Sequence, residues 1–199
     1  IRNALMNRRI DVDTKLSIFS TYIVGLMKKK QELNRVDSLF AEMLEQYPQE
    51  EPVHRLFGMY LSSRKDFSRA EEQYAIAADL APTNPENWLQ LIGLYLYQEK
   101  YAEVIRVGKR AIQYVPDQKD IYMYVAVASA QTKSYDEALS MLETGLNYVE
   151  ENDAGTKSFF YGQMGDVYHS AGDKEKSYEM YEKALSYNAS NIPVLNNYS

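Results

Sequence analysis

Histidine is the side chain whose ordinary pKa suits it to proton transfer or metal binding near neutral pH, and the chain has two, His54 and His169. Asp166 and His169 are i, i+3 neighbours on one expected helix, a spacing that could begin a metal or acid–base site. A metal needs three or four ligands, and with no cysteine in the chain no third ligand is in view. The pair therefore reads as solvated and polar, and His54 lies too far away in the chain to complete it. Three adjacent carboxylate pairs, Glu50-Glu51, Glu71-Glu72 and Glu150-Glu151, stand side by side rather than facing across a cleft as glycoside hydrolysis requires. Lys28-Lys29-Lys30 could attract an acidic tail or lipid headgroups, but cations near a helix C-terminus also complement its dipole. The nine glycines are scattered, so neither a phosphate-cradling loop nor an activated-serine motif is present. No catalytic residue, metal site or cofactor is expected, and the chain reads as non-enzymatic.

Composition narrows the partners. A net charge of −6 and a pI near 5.1 leave no basic face for a phosphate backbone, which argues against nucleic acid. The absence of cysteine excludes disulfides without fixing a compartment. No apolar run approaches the roughly 18 residues that span a bilayer, so no membrane insertion is expected within this stretch. The start carries no charged-then-apolar leader pattern. The chain opens on Ile1 and closes on a segment, Asn191 to Ser199, that looks like the start of another repeat; the expectation is a fragment of a larger protein.

The elements that position these residues follow from a period. Pro48, Pro82 and Pro116 are spaced by 34 residues. Between the last two, Trp88, Leu91, Ile92 and Tyr95 form W-x2-L-x3-Y, followed by Val104, Gly108, Ala111 and Pro116. The preceding unit repeats the frame with His54, Phe57, Gly58, Leu61, Ala70, Tyr74, Ala77 and Pro82. A helical period of 34 with these positions resembles the tetratricopeptide repeat (TPR) family. The resemblance covers about residues 17–191 and implies an all-α fold, a right-handed superhelical solenoid of helix-turn-helix hairpins. It reads as a single solenoid over 1–199, with units at about 17–50, 51–84, 85–118, 119–152 and 158–191 and partial units at 1–16 and 192–199.

Within that frame a first helix is expected over Thr14 to Lys30, capped by Asp11 or Asp13, with Leu16, Phe19, Ile23, Val24 and Met27 on its apolar stripe. Small residues such as Gly58, Ala77, Ala111, Ala126, Gly165 and Ala184 should let helices approach, while Phe57, Tyr74, Trp88, Tyr95 and Tyr181 fill the space between units. The fourth unit has Glu150 where the terminal proline stands, so its second helix is expected to run to about Glu151. Tyr122 to Tyr161 is 39 residues rather than 34, and the five surplus residues, Asp153 to Lys157, are expected as a surface loop.

The resemblance also implies a function: an interaction scaffold whose first helices line a concave groove. Counting through each unit puts Tyr22, Gly25, Arg55, Leu56, Met59, Leu89, Gln90, Gly93, Leu96, Tyr97, Met123, Tyr124, Val127, Phe159, Gln163, Asp166 and His169 on that face. Some members grip a peptide's terminal carboxylate with Lys, Arg and Asn there. The corresponding sets here, such as Arg55, Met59, Gln90, Asp120 and Tyr124, do not make a cationic clamp. The expected partner is a protein or peptide with an apolar or amphipathic segment, held by Met59, Leu89, Gly93, Tyr97, Met123, Tyr124 and Val127. Self-association is an alternative, as is service as an accessory module of a larger enzyme or carbohydrate-handling protein. Tyr- and Asn-rich bacterial repeat proteins of the cell envelope look similar, which leans the localisation toward the envelope or periplasm, with the cytoplasm as the alternative.

Overall fold

The computed structural model describes residues 1–28 and 34–198, and among these it has twelve helices and no strand. The Lys28-Lys29-Lys30 side chains and that of Met27 lie outside the described residues. The helices are α1 (Arg2–Leu5), α2 (Val12–Lys28), α3 (Asn34–Gln46), α4 (Glu51–Ser63), α5 (Phe67–Leu80), α6 (Pro85–Tyr97), α7 (Tyr101–Ile112), α8 (Lys119–Gln131), α9 (Tyr135–Leu146), α10 (Ala154–Ala171), α11 (Lys174–Tyr187) and α12 (Ile192–Tyr198). They divide into two compact units, Ile1–Leu91 and Ile92–Ser199.

In the first unit an aromatic stack joins three helices. Phe40 of α3 lies 4.6 Å from Phe19 of α2 and 4.4 Å from Phe57 of α4, ring centre to ring centre, with Tyr60 5.4 Å away. Offset rings at such distances add to the burial of their area. Val36, Phe40 and Met43 are fully buried, as their helical spacing demands. Val24 is not on the buried stripe: it is 47% exposed, because one residue past buried Ile23 the helix has turned by about 100°. Asp11 caps α2 by accepting from the Thr14 N–H at 2.8 Å.

The core of the second unit gathers Ala126, Ala138, Leu142, Phe160, Met164 and Val167, and a smaller cluster joins Tyr181, Ala184 and Val194. Close approach is built in at Gly165, where a Cβ would lie 2.4 Å from the Tyr181 ring. Phe57, Tyr74, Trp88, Tyr95 and Tyr181, with the small residues named beside them, are all buried.

Two backbone devices repeat with the sequence period. First, α4, α6, α8 and α10 are each followed, within two residues, by a left-handed residue: Lys65 (φ 63°), Glu99 (φ 57°), Lys133 (φ 62°) and Gly172 (φ 88°). At each, the next N–H reaches back five residues, as in Asp66 to Leu61 O at 3.0 Å and Asp173 to Tyr168 O at 2.9 Å, which satisfies orphan carbonyls and reverses the chain. Second, each proline carbonyl before a first helix accepts a bond from a side chain six residues on. Trp88 Nε1 donates to Pro82 O at 2.7 Å, Tyr122 Oη to Pro116 O at 2.9 Å, and His54 Nε2 meets Pro48 O at 3.1 Å. A histidine in the tryptophan position is thereby explained: it supplies the same donor, and its Nδ1 meets the Gln73 side-chain amide at 2.9 Å.

Two expectations about helix bounds are corrected as well. α9 does not run to Glu151 but stops at Leu146, because the Tyr148 and Val149 N–H groups turn back to Gly145 and Leu146 carbonyls and Val149 is buried. Val149 is buried as Val115 is one period earlier, and here the helix ends without the proline that follows Val115. Nor do Asp153 to Lys157 form a loop. Asp153 accepts from the Thr156 N–H at 3.0 Å and starts α10, which has 18 residues where α4, α6 and α8 have 13.

Candidate functional site

The first helix of each pair carries the expected binding residues, and the structure sorts them by exposure. In the first unit Met59 is 44% exposed and Leu89 is half-buried. Met59 borders a recess of about 480 Å³ with Leu16, Ser20, Pro52, Arg55 and Leu56. Arg55 is held there by Glu51, Nε to Oε1 2.8 Å. In the second unit Tyr97 is 68% exposed, Gly93 one turn before it has open space where a side chain would stand, and Tyr124 and Val127 are half-buried. Met123 is placed elsewhere: at 6% exposure it packs in the core cluster and is closed to a ligand.

Two recesses in the second unit share a wall. One, of about 490 Å³, has a floor of Ala126, Val127, Ala130, Leu142 and Val167 and a rim of Gln131, Gln163, Asp166 and Ser170. The other, of about 510 Å³, is bordered by Asp166, His169, Ser170, Tyr181 and Asn197. Asp166 Oδ1 accepts from the Tyr181 hydroxyl at 2.7 Å and from Asn197 Nδ2 at 2.8 Å, and Oδ2 accepts from Gln163 Nε2 at 3.2 Å. Burial and the adjoining Asp166 carboxylate push the Tyr181 phenol up to about 12, so it remains a donor through the physiological range.

With this geometry in place, relationship can be read. Residues 49–198 match the tetratricopeptide repeat family. The chain belongs to the TPR family. A TPR repeat-containing protein of Methanocaldococcus jannaschii, MJ1428, is 26% identical over 101 residues, which is 50% of this chain and 17% of that protein. The matched region thus spans under a fifth of that relative's length. Among solved structures, YrrB, described as a TPR protein with an unusual peptide-binding site, superposes with a TM-score of 0.67 at 17% identity, covering 90% of this chain and 89% of its own. MamA from Desulfovibrio magneticus RS-1 superposes with a TM-score of 0.66 at 11% identity, covering 88% and 96%. At these identities the likeness is one of fold.

In the structure the two members of the Asp166–His169 pair have different surroundings. Asp166 bonds to Tyr181, Asn197 and Gln163, while His169 is exposed at the edge of the second recess. Among the described residues no group of three His, Cys, Asp or Glu side chains could hold a metal ion, and no helix is long and apolar enough to cross a membrane. Sequence reasoning missed Asn197 and Gln163 as partners of Asp166. Asn197 is 31 residues away, beyond any local spacing rule.

Proposed function

We propose that this TPR chain is a non-enzymatic scaffold that binds an apolar or amphipathic segment of another protein on the faces of its first helices. The observation that carries the reading is the exposure of apolar side chains at repeat positions expected to face a ligand: Met59 and Tyr97 are exposed, and Leu89, Tyr124 and Val127 are half-buried. Methionine adapts to varied partners, and tyrosine supplies large contact area at low conformational cost. The peptide-binding site named for YrrB supports the same use of the fold. Tyr97 and Tyr124 are the anchors of choice, because interface energy concentrates in a few aromatic residues.

Selection of a displayed random-peptide library against the chain, followed by calorimetry on the enriched peptides, tests this. Enriched peptides should carry apolar residues at helical or alternating spacing. The Tyr97→Ala, Tyr124→Ala double variant should bind them roughly 30-fold more weakly, the equivalent of about 2 kcal/mol. Its thermal midpoint should stay close to that of the parent. Unfolding of the double variant would place these tyrosines in the core, and equal binding by parent and variant would remove the anchors.

A further inference from the structure

The wall shared by the two recesses is a carboxylate whose three donors are all neutral. Tyr181, Asn197 and Gln163 hold Asp166 in place without cancelling its charge, and among the described residues no ion pair uses it. A carboxylate offers about four acceptor positions, so Oδ2, with one donor, keeps capacity. Beside it lies the apolar floor of the first recess, built by α8, α9 and α10. The rim adds further acceptors. Gln163 donates its N–H to Asp166, which leaves its Oε1, and Ser170 Oγ donates to the Asp166 carbonyl at 2.9 Å, which leaves its lone pairs.

An apolar trough ending in an anion and several acceptors complements a side chain with a long methylene stem and a cationic, many-donor head. We propose that this recess is a subsite for an arginine side chain of the bound peptide. The stem lies along Val127, Ala130 and Val167, and the guanidinium donates to Asp166 Oδ2 and to the Gln163 and Ser170 oxygens. Guanidinium, with five donors in a fixed fork, fits acceptors spread along a rim better than a compact ammonium does. The subsite rests on the peptide-scaffold reading and narrows it: the amphipathic segment carries arginine among apolar residues.

The test uses three synthetic peptides, acetyl-Ala-Leu-Arg-Leu-Tyr-amide and the same peptide with citrulline or glutamate in place of arginine. Citrulline keeps the shape and removes the charge. Titrations are followed by methyl NMR of the whole chain at Ala126, Val127, Ala130, Leu142 and Val167. The arginine peptide should shift these methyls saturably, with a Kd at least about tenfold below that of the citrulline peptide, as a charge-assisted bond predicts. Asp166→Asn should erase the difference between the two. Ala130→Met, which fills the trough and leaves Asp166 intact, should weaken the arginine peptide even if Asp166→Asn fails to fold. Equal affinity of arginine and citrulline peptides overturns the subsite while leaving the scaffold reading standing. Absence of recess shifts with the arginine peptide overturns it too. Failure of the scaffold reading itself is seen separately, in the library selection and the Tyr97/Tyr124 variant.

Discussion

At the scale of single residues, the turn inside each helix pair separates what the backbone requires from what the sequence provides. Lys65, Glu99 and Lys133 adopt a left-handed conformation that L side chains enter at a cost, whereas Gly172 occupies the equivalent place freely. Exchange should therefore work in both directions. Lys133→Gly should raise stability by roughly 0.5–1 kcal/mol, and Gly172→Ala should lower it by a similar amount, since both keep the turn's hydrogen bonds. Equilibrium urea denaturation reads both, and a neutral Gly172→Ala would contradict the strain argument. Core residues were legible at this scale because the period names them: Trp88, Phe57, Tyr74 and Tyr181 are all buried as their positions require. The role of Asp166 was not legible, because Tyr181 and Asn197 reach it across separate helices. Met123 misled for a related reason. Its place on the binding face was inferred by counting, while the core beside Phe160 and Leu142 takes the side chain instead.

At the scale of the element, α10 shows how a helix absorbs surplus chain. The five residues contain Gly155, a common loop signal, yet the first of them, Asp153, is a strong N-cap and outweighs it. Deleting 153–157 should accordingly be costly rather than silent, lowering the thermal midpoint and increasing hydrogen exchange at the amides of 158–160. Unchanged exchange would restore the loop assignment. The cap also titrates. Hydrogen bonds from Thr156 hold the Asp153 carboxyl below its ordinary value, as those of Thr14 and Lys176 do for Asp11 and Asp173. A depressed folded pKa means that the stabilisation is complete above the unfolded value near 3.9 and disappears as pH falls through the lower folded value. Asp153→Asn keeps an acceptor without the titration, so its midpoint should fall less than the parent's between about pH 5 and pH 2. Parallel acid profiles would show that the cap contributes nothing through its charge.

For the whole molecule the alkaline limb carries a matching signature. Burial, and then the neighbouring Tyr148, push Tyr122 up to about 12, and burial with Asp166 does the same for Tyr181. A raised folded value leaves the stabilisation intact below the unfolded value near 10 and removes it as pH climbs to about 12. The thermal midpoint should hold to about pH 10 and then drop, and Tyr181→Phe should flatten that drop, with tyrosinate absorbance marking the titration. An identical limb in the variant would assign the loss elsewhere. Much of the fold was legible from one chain because a repeat writes the same local code several times, so that each helix pair checks its neighbours. Helix ends were harder, since Leu146 is stopped by the burial of Val149 three residues later. The surplus in α10 has one further consequence, which concerns phase. Each helical residue advances the face by about 100°, so five residues placed inside the core stretch, after Met164 for instance, would swing everything beyond by about 140° and aim Val167 away from its partners. Placed ahead of Ser158, Asp153 serves as the cap and 154–157 lengthen α10 by about 6 Å while leaving the bearing of every later side chain unchanged, which makes the front of a first helix a place where a repeat can grow without losing its address.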